Sequence, residues 1–317
     1  MTLRVFSDRR CLDHRVPFGF PESGERLERI LGGLAGDWTV ELDGSHPGAD
    51  EAIAMAHGSE YVESFRRAVE RGDGLLGSSD NPLSAGTWVA ARAAVETTLT
   101  AVDWMLRTSG REAFVAVRPP GHHAERDLAM GFCYFNNIAV AAEYLLQKHG
   151  MNRVAIFDFD VHHGNGTQHI FEERPDVLYV STHQWPFYPG TGSAGETGRG
   201  SGEGATLNIP LPGGMGDEEY RDILRSQVVP ALGTFEPDAL LISAGFDAWR
   251  GDPVGSMRVT ETGFSEWGRL IREVATSCCD GRLLSLLEGG YDLTALPILV
   301  DGYLRGEGRG AEMMVSL

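Results

Sequence analysis

Residues 158 to 168, DFDVHHGNGTQ, crowd carboxylates, adjacent histidines, glycines and amides into one stretch directly after the apolar run VAIF. Asp160 and His162 stand two residues apart, and in an extended backbone side chains at that spacing point to the same side. A carboxylate and an imidazole facing one point can hold a divalent metal. Asp247, at the end of another apolar run, can supply a third ligand. An Asp, His, Asp set with one position left open is the pattern of a catalytic zinc site, whereas structural zinc is usually closed by four protein ligands. His122 and His123 follow RPPG, a turn that holds their backbone rigidly. Such a pair, facing a metal, is a general acid/base arrangement. Tyr291 follows two glycines in EGGYDL, a tight turn that presents its ring to the same crevice.

These residues need a scaffold that brings distant segments to one place. Short apolar runs recur at 113–117 (AFVAV), 154–157 (VAIF), 177–180 (VLYV), 239–243 (ALLIS) and 283–287 (LLSLL). Near-continuous hydrophobic runs of this length read as buried parallel strands. Between them, residues 136–150, 217–235 and 260–279 have helical spacing, with Gly150 as a C-cap and Thr260 and Thr262 as N-cap candidates. Strand alternating with helix predicts a parallel α/β sheet. Each run is followed by chemistry: RPPGHHA, DFDVHHGNG, STHQWPFYPGTG, AGFDA and EGGYDL. In open parallel sheets, ligands bind at the carboxyl ends of the strands. The Gly-rich section from Gly190 to Gly216 reads as a long surface loop with a short strand at TLNIPL.

The chain has 317 residues, 41 glycines and a formal charge of -18, with 42% hydrophobic residues. This is a globular composition with enough apolar residues for a sizeable core, and the length allows one large domain or two small ones. The negative charge repels phosphate backbones and anionic lipid and favours cations, so direct binding of nucleic acid is not expected. No run reaches the ~18 apolar residues of a membrane helix, and the N-terminus has no continuous apolar stretch of the signal-peptide kind. The expectation is a cytoplasmic protein without membrane attachment. Cys11, Cys133, Cys278 and Cys279 show no CxxC spacing, which argues against a disulfide framework or a Cys-rich zinc knot.

From about residue 22, in PESGERL, to EGGYDL at 288–293, these motifs together resemble the histone deacetylase superfamily. Within it, DVHHGNGTQHIF is similar to the class II branch, because Asn165 stands where class I proteins carry Asp. The resemblance implies one α/β domain over residues 1–317, with the three-layer αβα arginase-deacetylase fold and a central, mostly parallel sheet of about eight strands. It implies Zn²⁺ on Asp160, His162 and Asp247, with Fe²⁺ able to replace it. Asp158 would orient His122, and Asn165 would orient His123. Gly131, Phe132 and Tyr188 would wall a narrow acyl-lysine channel, although relatives usually carry Phe at the last position. Gly289 and Gly290 would line the substrate beside Tyr291. Asp80 would be a rim residue that bonds the substrate backbone, and Arg26 would lie near the pocket floor. Structural K⁺ is implied at Asp158, Asp160, His162, Ser181 and Thr182, and again at Phe171, Arg174 and Val177, largely through main-chain oxygens.

The activity so implied is removal of acyl, chiefly acetyl, groups from N-acylated amines such as acetyl-lysine in peptides, by attack of metal-activated water. Two anionic aspartates leave zinc a weaker activator than three neutral histidines would, so a base is needed. Asp158 favours protonated His122, while the neutral Asn165 gives His123 no such charge; His123 is therefore the expected base and His122 the electrostatic partner. Acetylated polyamines or other small amides are the main alternative substrates. The glutamate that polyamine-selective relatives can carry after AGFDA is absent, with Val254 in its place. A non-catalytic acyl-lysine binding module fits the intact His122, His123 and Tyr291 less well. So does a binuclear manganese ureohydrolase, which needs a second Asp-rich ligand set. Homo-oligomerisation is left open.

Overall fold

The apolar runs are too short for helices and are flanked by Gly, Pro and polar residues, so they pair laterally as strands. The computed structural model describes residues 2–34, 36–107 and 111–306. Its strands are β1 (Thr2–Phe6), β2 (Val40–Glu41), β3 (Arg111–Val115), β4 (Val154–Asp158), β5 (Val177–Gln184), β6 (Thr206–Leu211), β7 (Ala239–Ala244) and β8 (Leu283–Leu287). They form one eight-stranded sheet in the order β2-β1-β3-β8-β7-β4-β5-β6. Every pairing is parallel, so the sheet is wholly and not just mostly parallel. The expectation of a domain reaching residue 317 extends beyond the described residues.

The helices are α1 (Gly24–Leu34), α2 (Ala49–Ala56), α3 (Ser59–Arg71), α4 (Thr87–Leu106), α5 (Asn137–Gln147), α6 (Asn165–Phe171), α7 (Asp217–Ile223), α8 (Val229–Phe235), α9 (Glu261–Cys279) and α10 (Leu296–Arg305). One group, α1, α9 and α10, packs together, as do α2, α4 and α5. Parallel sheets need cover on both faces. All residues of β4, β5, β7 and β8 are accordingly buried, and α9 presents buried Phe264, Trp267, Ile271 and Val274 toward the core. No described helix is long and apolar enough to cross a membrane.

Local expectations hold in part. Residues 217–235 are helical throughout, as the spacing predicts, but α7 passes into α8 through a π-helical stretch at Leu224–Val228, with Pro230 in the first turn of α8. Gly150 lies past the end of α5, whose C-cap is Lys148. Thr260 does precede α9, but its hydroxyl bonds Asp217 and does not cap the helix. The short strand expected at TLNIPL within the Gly190–Gly216 section is β6 (Thr206–Leu211), which pairs with β5 as the sheet's last strand.

The five strands that precede the chemical motifs, β3, β8, β7, β4 and β5, are contiguous in the sheet. Because all run parallel, their carboxyl ends share one edge, and the loops after them converge there.

Candidate active site

At that edge, one oxygen each from Asp160 and Asp247 and one nitrogen of His162 lie within 4.8 Å of one another. Among the described residues this is the one such group of three or more His, Cys, Asp or Glu side chains. Asp160 and His162 follow β4, and Asp247 follows the neighbouring β7. His162 Nδ1 sits 3.0 Å from Asp160 Oδ1 and 3.1 Å from Asp247 Oδ2. Backbone amides hold the carboxylates in place: Gly289 N–H donates to Asp160 Oδ2 at 2.7 Å, and Val161 N–H to Asp247 Oδ1 at 2.8 Å. A Cβ at Gly289 would fall 2.2 Å from Asp247 Oδ2, so only glycine lets this turn approach the cluster.

Burial disfavours two facing carboxylates, and positive charge must compensate. Burial and the Asp160 charge push Asp247 up. Burial also opposes charge on Asp160, yet His122 and His162 hold it below the usual carboxylate range. His162 resists burial because the two carboxylates hold its proton, which raises it to about 10. A divalent cation can replace that proton, and the buried two-oxygen, one-nitrogen donor set suits one.

The two histidines after β3 have contrasting partners. His122 Nδ1 lies 3.0 Å from Asp158 Oδ2, and His123 Nδ1 lies 2.7 Å from Asn165 Oδ1. Burial works against charge on both. In His122 the carboxylates of Asp158, Asp160 and Glu288 overcome it and raise the group to about 10. In His123 burial is reinforced by the charges on His122 and His162, so the ring stays neutral well below its ordinary value. Adjacent histidines with rings 4.1 Å apart are thus pushed in opposite directions, His122 toward the charged form and His123 toward the neutral one.

Aromatic residues wall the approach. Tyr188 stands edge-on to His123 at 5.2 Å, and Phe187 stacks on His162 at 5.2 Å. Phe132 faces Tyr291 at 6.1 Å. Gly131 and Phe132 both have positive φ, 56° and 69°. Phe132 is thus one of the few side chains held in a left-handed conformation, and a Cβ at Gly131 would lie 2.3 Å from His123 Cδ2. Tyr291 is buried, not openly exposed, and burial raises its hydroxyl well above the ordinary value, keeping it protonated. It also lines a cavity of about 620 Å³ bounded by Val16, Phe18, Phe20 and Glu28. Gly290 O and Glu288 O both accept from the Arg26 guanidinium, which packs 4.9 Å over the Tyr291 ring.

Asp80, the expected rim residue, accepts at Oδ2 from Gly131 N–H and from the Tyr188 hydroxyl, each at 3.0 Å. Ser181 and Thr182 lie on β5 beside Asp158, whereas Phe171, Arg174 and Val177 run from the end of α6 to the first residue of that strand. Arg174 uses its side chain on Glu143 and Asp176.

Several residues had no expected role. Glu288 accepts from Gly121 N–H at 2.7 Å and from His122 N–H at 3.2 Å, and so fixes the turn that carries the histidines. Asp252 accepts from Tyr291 N–H at 2.7 Å. The acid at the head of EGGYDL was the available signal for Glu288; Asp252, in a loop of ordinary composition, had none.

The histone deacetylase domain profile matches residues 20–306. A probable deacetylase of Archaeoglobus fulgidus is 42% identical over 90% of this chain and 80% of its own length. The histone deacetylase-like amidohydrolase of Pseudomonas aeruginosa is 38% identical, over 87% of this chain and 73% of its own. Histone deacetylase 14, chloroplastic, of Arabidopsis thaliana is 37% identical over 92% and 73%. Among solved structures, the HDA15 HD domain superposes with a TM-score of 0.88 at 36% identity, covering 98% of this chain and 90% of that one. With the parallel sheet, the His pair and the acidic cluster at its edge already in place, these matches make the chain a member of the histone deacetylase family, a deacetylase with the arginase-deacetylase fold.

Proposed function

We propose that the protein is a zinc-dependent hydrolase that removes acetyl groups from acylated amines, with acetyl-lysine side chains of peptides as the favoured class. The observation that carries this reading is the grouping of Asp160, His162 and Asp247 beside one charged and one neutral histidine. A divalent cation held by Asp160, His162 and Asp247 would supply a Lewis acid for the acyl carbonyl and would lower the pKa of an attacking water. His123, neutral and so able to accept a proton, takes one from the water and later returns it to the leaving amine. His122, held charged by Asp158, stabilises negative charge as it develops. The Tyr291 hydroxyl donates to the oxyanion formed from the acyl oxygen. Phe132, Tyr188 and Phe187 exclude water and pack along an alkyl chain, which a lysine side chain provides. Structural potassium at the two main-chain sets rests on the resemblance alone.

A small acetylated polyamine would present the same amide, and Val254 in place of an acidic gate favours the peptide. The test is a panel of acetyl-lysine peptides, acetylpolyamines and simple acetamides on zinc-loaded protein, with bound metal counted by mass analysis. The expected result is one zinc per chain and the highest kcat/KM on a peptide. A preference of more than about tenfold for an acetylpolyamine would reverse the substrate reading, and full activity without bound metal would end the metal reading.

A further inference from the structure

His123 depends on Asn165, and an amide has two unlike ends. Its carbonyl oxygen can only accept hydrogen bonds and its NH₂ can only donate. With Asn165 Oδ1 turned to His123 at 2.7 Å, Nδ1 of the ring must carry the proton, which leaves Nε2 free as the base. With the amide rotated by half a turn, the NH₂ would donate to Nδ1, and the neutral ring would carry its proton on Nε2. The base would then be blocked. An aspartate at this position would be symmetric and raise no such problem; an asparagine needs something to read its orientation.

Glu125 does this. Its Oε1 accepts from Asn165 Nδ2 at 2.6 Å, the shortest contact that the amide makes. A carboxylate presents acceptor oxygens, so it favours the NH₂ end of the amide. The other neighbours of Asn165 Nδ2 are weaker acceptors at longer range, the His123 carbonyl at 3.3 Å and Met130 Sδ at 3.5 Å. Glu125 is itself held: His169 Nδ1 lies 2.8 and 2.9 Å from its two oxygens. Asn165 and His169 stand four residues apart on α6, so both reach Glu125 from one side of the helix.

We propose that Glu125 is a positioning residue, which fixes the Asn165 amide so that the proton of neutral His123 stays on Nδ1. This rests on the reading of His123 as the base, but the tautomer can be observed without turnover.

The test compares Glu125→Gln with the unaltered protein, both loaded with zinc. Glutamine can offer either end of its own amide and therefore releases the orientation of Asn165 while keeping the volume. In ¹⁵N-histidine NMR, with His123→Ala to assign the signals, the unaltered protein should show His123 as the Nδ1–H form and Glu125→Gln a mixture of both forms. kcat should fall about 10-fold with KM nearly unchanged, within the range usual for outer partners of a site. Asn165→Asp alone sets a second carboxylate against Glu125 and should also lose activity. Combined with Glu125→Gln it should regain most of that loss, because the aspartate is symmetric and the glutamine can donate to it. Additive losses in the double variant, or an Nδ1–H form that persists in Glu125→Gln, would overturn the proposal. A changed tautomer with unchanged kcat would uphold the positioning and sink the reading of His123 as base.

Discussion

Two clusters of buried charge approach Tyr291, and they are balanced in different ways. In the first, Glu22 lies between two arginines. Arg118 grips it with two hydrogen bonds, at 2.9 and 2.7 Å, and Arg26 adds a third at 3.2 Å before reaching over the Tyr291 ring. Burial raises Glu22, but Arg118 and Arg26 overcome it and bring the group down to about 2. The second cluster, Asp160, His162 and Asp247, contains no arginine or lysine and is offset by protons, one held by His162 and one by neighbouring His122. The first cluster is closed by guanidinium groups, whereas the second is offset by protons, one of which a bound metal would displace. Function belongs where the chain leaves its charge to exchangeable protons, and stability where it does not.

That contrast assigns different losses to different substitutions. The largest expected effect is on chemistry. His123→Ala should reduce kcat by roughly 10²- to 10⁴-fold, the usual worth of a general base, with thermal unfolding and zinc content nearly unchanged. A loss under about tenfold would hand the role to His122.

Next in size is an effect on folding. Glu22→Gln leaves two buried guanidinium groups without their anion, a change that typically costs ~3 to 5 kcal/mol, measurable by denaturant unfolding. Its pH dependence has a definite sign. The folded-state value is depressed from an ordinary 4.5 to about 2, so the stabilisation is present above 4.5 and is lost as pH falls toward 2. The gap between the two proteins should therefore narrow as the pH is lowered through that window. A constant gap would mean that Glu22 acts through packing and not charge.

Tyr291 packs against Arg26 of the first cluster and feels the charges of Asp247 and Asp160 in the second, and it should be felt only in the chemistry. Tyr291→Phe keeps the ring against Arg26 and removes the hydroxyl. kcat and kcat/KM should fall together by roughly 10²- to 10³-fold, with zinc affinity unaltered. A raised KM with intact kcat would make Tyr291 a residue of uniform binding.

The same division separates what the sequence made legible. The proton-balanced cluster announced itself, because its residues are polar groups set at the ends of apolar runs: Asp160 and His162 two apart after one strand, Asp247 after another. The central strands were legible for a related reason, since burial on both faces leaves an unbroken apolar run. The edge was not. β1 has a polar residue within LRVF, and β2 is two half-buried residues, too short for any periodicity. The cluster closed by guanidinium groups was equally hidden. Glu22 and Arg118 are 96 residues apart in sequence, and nothing local says that the two will meet in the core. The role of Tyr188 was half legible: its ring was expected at the wall, but its hydroxyl bond to Asp80 depends on two loops meeting in space.

The smallest expected effect tests the contrast most directly. Without metal, His162 keeps its proton up to about pH 10, because Asp160 and Asp247 flank it. As a ligand it must be neutral, so zinc has to displace that proton. Affinity should therefore rise with pH, by about tenfold or ~1.4 kcal/mol per unit between pH 7 and 9. It should rise more steeply at lower pH, where Asp247, itself pushed up by burial, also holds a proton. Chelator competition at several pH values measures the slope, and calorimetry in buffers of different ionisation enthalpy counts the proton released. In Glu22→Gln the slope should be the same, since that cluster carries its own counter-charge and exchanges no proton in this range. A flat response in the unaltered protein would mean that His162 is already neutral and that the carboxylates are offset by another charge, such as that of His122, so that no proton is exchanged for the metal and the contrast with the Glu22 cluster fails.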